Sequence, residues 1–406
     1  MNNSYLIVGT NFINKGAEAM LKTVTHFIRK ADPTAEVHLI CHESEKSIAT
    51  AQGFFPHFVQ KSSTDVFIDK VEGKVKKVLA ITPKPYADYT PIESIKKIKN
   101  LKMAIDASGF AYGDKRGYQQ PLETLLIIDY VKSIGVPYYF MPQAWGTFKD
   151  PKVAANCKLM LGKSDGFYAR DDQSREFLAK LLGEKVESIP LMPDIAFHFP
   201  IPQNDPESIY PGINKLKKEK LIIGISPNMR VLERMGKADA SNSYVKILLD
   251  TIQLLQKNYH VLLIPNEIRP PGDTNKDDAF LCKLLYDLSE NKINLHLIEG
   301  YRSAEEIKTI IKTCDFLIAS RFHSLIFALS LGIPCVAISW SHKYRELFKL
   351  FGLEHLVVED KDMELPIIQN KVEACLSDLE ALSSKINEVL IQIKKRNISV
   401  FDIFRQ

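Results

Sequence analysis

Short apolar runs alternate with helical patterns along most of the chain. The first run, Tyr5 to Val8, ends in Gly9-Thr10-Asn11. From about Gly16 the apolar residues Met20, Val24, Phe27 and Ile28 recur at i, i+4, i+7 and i+8, the spacing of one helix face. Val37–Cys41, Lys102–Ile105, Val136–Met141, Gly166–Ala169 and Val186–Pro190 read as further strands. Such alternation predicts βαβ units and a mostly parallel sheet. The pattern breaks at Phe199–Lys220, where Pro200, Pro202, Pro206 and Pro211 precede Lys215, Lys217, Lys218 and Lys220; this is the predicted linker.

Beyond it the alternation restarts, with strands predicted at Leu221–Ser226, Val261–Pro265, Leu295–Ile298, Phe316–Ala319 and Cys335–Ile338. Ser303 and Glu306 form a capping box ahead of a helix whose core face is Ile307, Ile310, Ile311 and Cys314. A long amphipathic helix is expected from about Val372 to Lys394, with Cys375, Leu379, Leu382, Ile386, Val389 and Ile393 on its apolar face. The pattern therefore predicts an α/β protein of two Rossmann-like domains facing each other across a cleft. The expected division is 1–205, a linker at 206–220, a second domain at 221–360 and a helical tail at 361–406.

Length agrees, since 406 residues exceed one ordinary core. The net charge of +4, from 53 basic and 49 acidic residues, is too balanced for nucleic acid and compatible with small acidic substrates. The six cysteines form no C-x-x-C pair, and Cys314 and Cys335 lie in apolar runs as reduced core thiols. The N-terminus lacks a basic start and a long apolar region, and no stretch reaches the roughly 20 apolar residues of a membrane span. A cytoplasmic protein is expected, with at most peripheral contact at the inner face of a membrane. Two basic stretches, Lys74–Lys77 and Lys96–Lys102, offer either such a contact or a plain solvated helix face.

Ligands of open α/β sheets bind at the carboxyl ends of strands, so the residues just after each strand carry the candidate chemistry. The strongest signal is Ser320-Arg321-Phe322-His323-Ser324, between the strand Phe316–Ala319 and a helix, Leu325–Leu331, that is apolar on nearly every side. A buried helix start attracts anions, Arg321 adds a fork for carboxylate or phosphate, and His323 adds a proton donor or acceptor near neutral pH. The bland alternative is an Arg321 paired with a structural carboxylate and a His323 that caps the helix. Arg230 follows the first strand of the second domain, either facing the same crevice or lying on a surface turn. Glu18 is either a base or a partner of the helix dipole. Gln143 and Trp145 end another strand, where Trp145 either stacks on a sugar or packs in the core. P-loop, dinucleotide, nucleophile-elbow and zincin signatures are missing, and no metal-ligand spacing is visible.

The stretch Ser320 to Ala328, with Gly332-Ile333-Pro334 and Ile338 to Lys343, resembles the S-R-x-H-x-x-I-x-A…G-x-P…K block of the polysaccharide pyruvyl transferase family. Looser echoes lie at Asn14 to Ala19, Pro142-Gln143, Ala169-Arg170-Asp171 and Pro193-Asp194. The chain departs from the common pattern at Gly16-Ala17-Glu18, where many relatives have G-D-E, and at Ser108-Gly109, where many have two glycines. The resemblance implies a GT-B-like fold and transfer of pyruvyl from phosphoenolpyruvate, as co-substrate without a further cofactor. The product is a cyclic ketal on a sugar of a cell-surface glycan or its precursor, lipid-linked or free. Arg321 and His323 match that family's donor-binding motif, and Arg230 a second donor arginine. The expected catalytic groups are His323, as acid or phosphate holder, and Glu18, as base; Arg321, Arg230, Phe322, Lys343, Asn11 and Gln143 are the expected substrate-binding residues. A nucleotide-sugar glycosyltransferase and a non-catalytic glycan-binding relative are the competing expectations.

Overall fold

The computed structural model describes residues 2–58, 92–270, 276–359 and 362–405. Within them the chain forms two α/β units, each around its own parallel sheet. The basic stretch Lys74–Lys77 lies outside the described residues.

The first unit comprises 1–11, 28–170 and 174–191. Its strands are β1 (Ser4–Val8), β2 (Glu36–Ile40), β3 (Phe55–His57), β4 (Leu101–Asp106) and β5 (Tyr138–Phe140), in the spatial order β3-β2-β1-β4-β5. Strand β1 is buried at every position and pairs with β2 and β4, as a central strand of a parallel sheet must be. Two expected strands are absent. Gly166–Ala169 makes only isolated bridges, to Tyr139, Gln143 and Leu191, and Val186–Ser188 is a short 3-10 turn. Pro190 supplies a carbonyl to Ala169 but has no N–H to extend a ladder. The stretch Lys96–Lys102 is not a helix face either: the helix Ile92–Ile95 ends in turns, Asn100 takes a left-handed φ of 51°, and Leu101 opens β4. Its lysines are exposed.

The second unit takes residues 12–27, 171–173 and 192–406. Its strands are β6 (Ile222–Ser226), β7 (His260–Leu263), β8 (Leu295–Leu297), β9 (Phe316–Ala319), β10 (Cys335–Ile338) and β11 (Val357–Val358). They lie in the order β11-β10-β9-β6-β7-β8, which in chain order is the doubly wound arrangement 3-2-1-4-5-6. The topological switch point falls between β6 and β9, which pair directly. This order sets the turn after β6 beside the turn after β9, the two turns that carry Arg230 and Arg321.

The expected linker is instead two short helices, Pro206–Ile209 and Ile213–Glu219, counted with the second unit. Asp205 caps the first through Glu207 N–H, Pro206 sits where a helix start tolerates proline, and Ile209 and Ile213 are buried. The tail likewise belongs to this unit. It divides at Ser377-Asp378 into Leu365–Leu376 and Leu379–Asn397. The capping box of Ser303 and Glu306 is present in both directions, and Ile307, Ile310, Ile311 and Cys314 are buried as expected. All six thiols are free. Burial pushes those of Cys157, Cys314 and Cys375 up to about 12, so they are protonated packing groups. No helix among the described residues is long and apolar enough to cross a membrane.

Candidate functional site

Small polar residues knit the switch point of the second unit together. Ser320 N–H donates to Ser226 O at 3.0 Å, and the Asn228 amide donates to Ser320 O at 2.9 Å. Tyr244 and Tyr344 donate their hydroxyls to Ser320 Oγ at 2.7 Å and Ser320 O at 2.6 Å. Asn228 also caps the helix Met229–Met235 through Arg230 N–H. The helix Phe322–Ser330 starts immediately after Arg321, and its residues Leu325 to Leu329 are wholly buried.

Arg321 is itself only 8% exposed. Its Nη2 donates to Glu267 Oε2 at 2.8 Å and to Asp278 Oδ1 at 2.5 Å. Arg230 donates from Nη2 to the other oxygen of Glu267, also at 2.8 Å, and from Nη1 to Glu233. One carboxylate therefore bridges the two arginines that the sequence marks. Burial opposes the charge on Arg321, but Asp278 and Glu267 outweigh it and hold the guanidinium above its ordinary value. Burial likewise favours a neutral Glu267, yet Arg321 and Arg230 hold it below the usual carboxylate range. Asp278 is fully buried, and burial pushes its carboxyl up against the pull of Arg321. Backbone N–H groups of Met229, Asn266 and Glu267 complete its donors. The structural pairing of Arg321 is thus present, but it occupies only Nη2. The buried Nε–H has no acceptor among the described residues, and an unmet buried donor in a strand-end turn calls for an explanation.

His323 lies against the start of the helix Lys15–Ala31. Lys15 N–H donates to Asn266 O and Ile268 N–H to Ile13 O, both at 2.9 Å, which brings this helix start to the end of β7. A Cβ on Gly16 would fall 1.9 Å from His323 Nδ1, so only glycine admits the ring here. On its far side His323 Nε2 stands 3.7 Å from Asp194 Oδ2.

Glu18 departs from its expected place. It belongs to the second unit with His323, and it is fully buried between Lys15 Nζ at 3.0 Å and Lys22 Nζ at 2.9 Å. Lys22 also pairs with Glu305. Lys15 is buried as well, donates to Phe12 O and lies 4.1 Å from the Tyr301 ring centroid. With both oxygens held by lysines, Glu18 serves as an internal counter-charge, close to the helix-partner alternative. The sequence pattern gave Glu18 to the first domain because it follows β1; tertiary packing moves it.

Phe322 is buried, edge-on to His323 and Tyr344. Lys343 Nζ lies 5.1 Å from the Phe322 ring and 4.9 Å from that of Trp340, which Arg234 also approaches at 4.4 Å. Asn11 and Gln143 belong to the first unit. Asn11 is half-buried after β1; Gln143 is 1% exposed, and neither atom of its amide has a partner among the described residues. Trp145 is core: it is fully buried and stacks on Tyr112 at 5.4 Å. Nearby Asp106 accepts from Ser108 and Tyr112.

Sequence reasoning passed over Glu267 and Asp278. Glu267 had a readable signal, since it follows the carboxyl end of β7; Asp278 is one of two adjacent acids at the start of the helix Asp278–Leu288, with no pattern to single it out. Among the described residues no group of His, Cys, Asp and Glu is gathered as metal ligands.

Residues 14–342 match the family described as polysaccharide pyruvyl transferase. The amylovoran biosynthesis protein AmsJ of Erwinia amylovora is 24% identical over 118 residues, 29% of this chain and 28% of that protein. The matched stretch is therefore little more than a quarter of that relative's length. Among solved structures, the spinosyn rhamnosyltransferase SpnG superposes with a TM-score of 0.58 at 9% identity, covering 99% of each chain. The UDP-GlcNAc 2-epimerase of Methanocaldococcus jannaschii gives 0.56 at 12% identity, over 92% of each. That of Neisseria meningitidis, bound to UDP-GlcNAc, gives 0.55 at 13%, over 98% of this chain and 100% of the other. These likenesses show a fold of the GT-B kind.

Proposed function

The chain belongs to the polysaccharide pyruvyl transferase family, and on that premise we propose that it moves a pyruvyl group from phosphoenolpyruvate onto two hydroxyls of a sugar in a cell-surface glycan or its precursor. The observation that carries this reading is the half-used Arg321 fork. Its Nη2 is fixed by Glu267 and Asp278 while the buried Nε–H, two residues before His323 in the same strand-end turn, has no acceptor among the described residues. A planar carboxylate or a phosphate oxygen is the natural complement of that donor. Phosphoenolpyruvate carries both groups.

The chemistry begins with a proton delivered to the methylene carbon of the enol phosphate. One sugar hydroxyl adds to the resulting oxocarbenium-like carbon and gives its proton to the His323 imidazole left neutral by the first step. The second hydroxyl then displaces phosphate, which leaves with the C–O electron pair and takes up that hydroxyl's proton, and the cyclic ketal closes. His323 is the donor-side acid in this reading: next to a phosphate its cationic form is favoured. In this reading Arg230, Phe322 and Lys343 serve the donor, and Asn11 and Gln143 the acceptor. Glu18 is left out of the proton path because two lysines hold it. No cofactor is invoked, and the acceptor is a glycan or precursor, lipid-linked or free. The reaction belongs in the cytoplasm, where phosphoenolpyruvate is made, with at most peripheral contact to a membrane.

Glycosyltransferases and nucleotide-sugar epimerases share the fold, which favours a nucleotide-sugar donor as the second reading. Thermal stabilisation by phosphoenolpyruvate against a panel of nucleotide sugars separates the two. Stabilisation by nucleotide sugars alone refutes pyruvyl transfer. Stabilisation by phosphoenolpyruvate, followed by phosphate release with an acceptor glycan, supports it.

A further inference from the structure

We propose that Asp194 is the positioning residue of His323, and that Asn397, at the end of the C-terminal helix, holds Asp194 in place. The inference rests on the pyruvyl-transfer reading only for what the imidazole proton does. Asp194 opens the 3-10 turn Ile195–His198, and its Oδ1 accepts from Ala196 N–H at 2.9 Å. That bond fixes the side chain and leaves Oδ2 3.7 Å from His323 Nε2. The backbone of the same turn is held at both ends by side chains distant in sequence. Asn397, itself fully buried, donates its amide to Pro193 O at 2.9 Å and to Asp194 O at 3.3 Å. The buried Lys308 donates to Phe199 O at 2.8 Å, where the turn ends.

His323 thus lies between the Gly16 backbone and a carboxylate anchored by Ala196 N–H. At 3.7 Å the interaction is charge pairing rather than a direct hydrogen bond, and an opposite charge at that range favours the imidazolium. Charged residues of the adjoining turns have partners of their own. Lys15 and Glu18, flanking Gly16, pair with each other, and the Arg321 charge is met by Glu267 and Asp278. In this proposal Asp194 sets the state and the direction of the ring through the 3.7 Å pairing, and the C-terminal helix keeps its turn in place.

The test uses the full chain, labelled with ¹⁵N-histidine, with the His323 signal assigned through His323→Gln. Asp194→Asn is expected to lower the His323 titration midpoint by about one pH unit or more. It should also lower kcat on the order of 10- to 100-fold, with KM for phosphoenolpyruvate changed less than about threefold. Asp194→Glu should recover part of both effects. Asn397→Ala, which touches neither ring nor carboxylate, should shift the midpoint in the same direction; if Asp194→Asn does not fold, this variant decides the question. An unchanged midpoint in a folded variant, or a loss residing in KM, overturns the proposal. A parent that shows the coupled midpoint but transfers no pyruvyl group refutes the functional reading and leaves the Asp194–His323 pairing standing.

Discussion

Replacing Arg321 by methionine keeps most of its volume and removes its charge, and the structure gives the cost. Glu267 keeps Arg230 at 2.8 Å and Arg269 at 3.5 Å, so it stays compensated. Asp278 does not. It is fully buried, Arg321 is its one cation among the described residues, and only backbone N–H groups remain to it. Stripping the partner from a buried ion pair costs about 3–5 kcal/mol, with the lower end favoured here because those N–H groups stay. In a unit of this size 1 kcal/mol moves the melting temperature by roughly 2–4 °C, so a fall of roughly 6–20 °C is expected. Adding Asp278→Asn removes the stranded charge and should return part of that loss. Calorimetry on the parent, Arg321→Met and the double variant, with titration of phosphoenolpyruvate into each, separates structure from binding. Stability should recover in the double variant while donor affinity stays lost. A single variant within about 2 °C of the parent refutes the electrostatic argument. A double variant that binds phosphoenolpyruvate like the parent removes Arg321 from the donor site.

Gly16→Ala should lose turnover and about 1–3 kcal/mol of stability, because its Cβ would meet the His323 ring at 1.9 Å; near-normal kcat would mean the ring has room to move. Glu18→Gln should act on folding first, by leaving buried Lys15 without its carboxylate, at about 3–5 kcal/mol; a stable variant with kcat reduced about 10²-fold would restore it to catalysis. Gln143→Leu should leave the melting temperature unchanged or raised, since its buried amide has no partner among the described residues, while weakening acceptor use; a marked drop in stability would give it a structural role instead. Burial lowers His38, His198 and His296 from 6.5 to about 4. Between those values the unfolded chain binds more protons, so their contribution is complete above pH 6.5 and is lost as pH falls toward 4. Denaturant unfolding should show up to about 1.4 kcal/mol per pH unit for each imidazole, and a flat profile across that window contradicts their burial as neutral rings.

Local pattern determined most of the second unit. Strands β9 and β10 begin and end at the residues the apolar runs mark, and the Ser303 capping box and the buried helix after Arg321 follow from residues close together in sequence. The strand-end rule also pointed at both arginine turns, because a parallel sheet puts every such turn on one edge. Whether those turns meet depended on strand order. Only the β6–β9 pairing brings Arg230 and Arg321 to one carboxylate, across more than one intervening strand in the sequence. The same holds for the expected linker, whose prolines read as a break until caps and buried isoleucines made it helical. It holds most for Gly16 and Asp194, whose roles come from His323 and Asn397, partners set by the packing of one unit from separate stretches of chain. Glu18 differs: Lys15 and Lys22 stand three and four residues away on its own helix, a spacing visible in the sequence. Periodicity records which face of an element is buried, and it carries no information about which distant side chain waits on the other side.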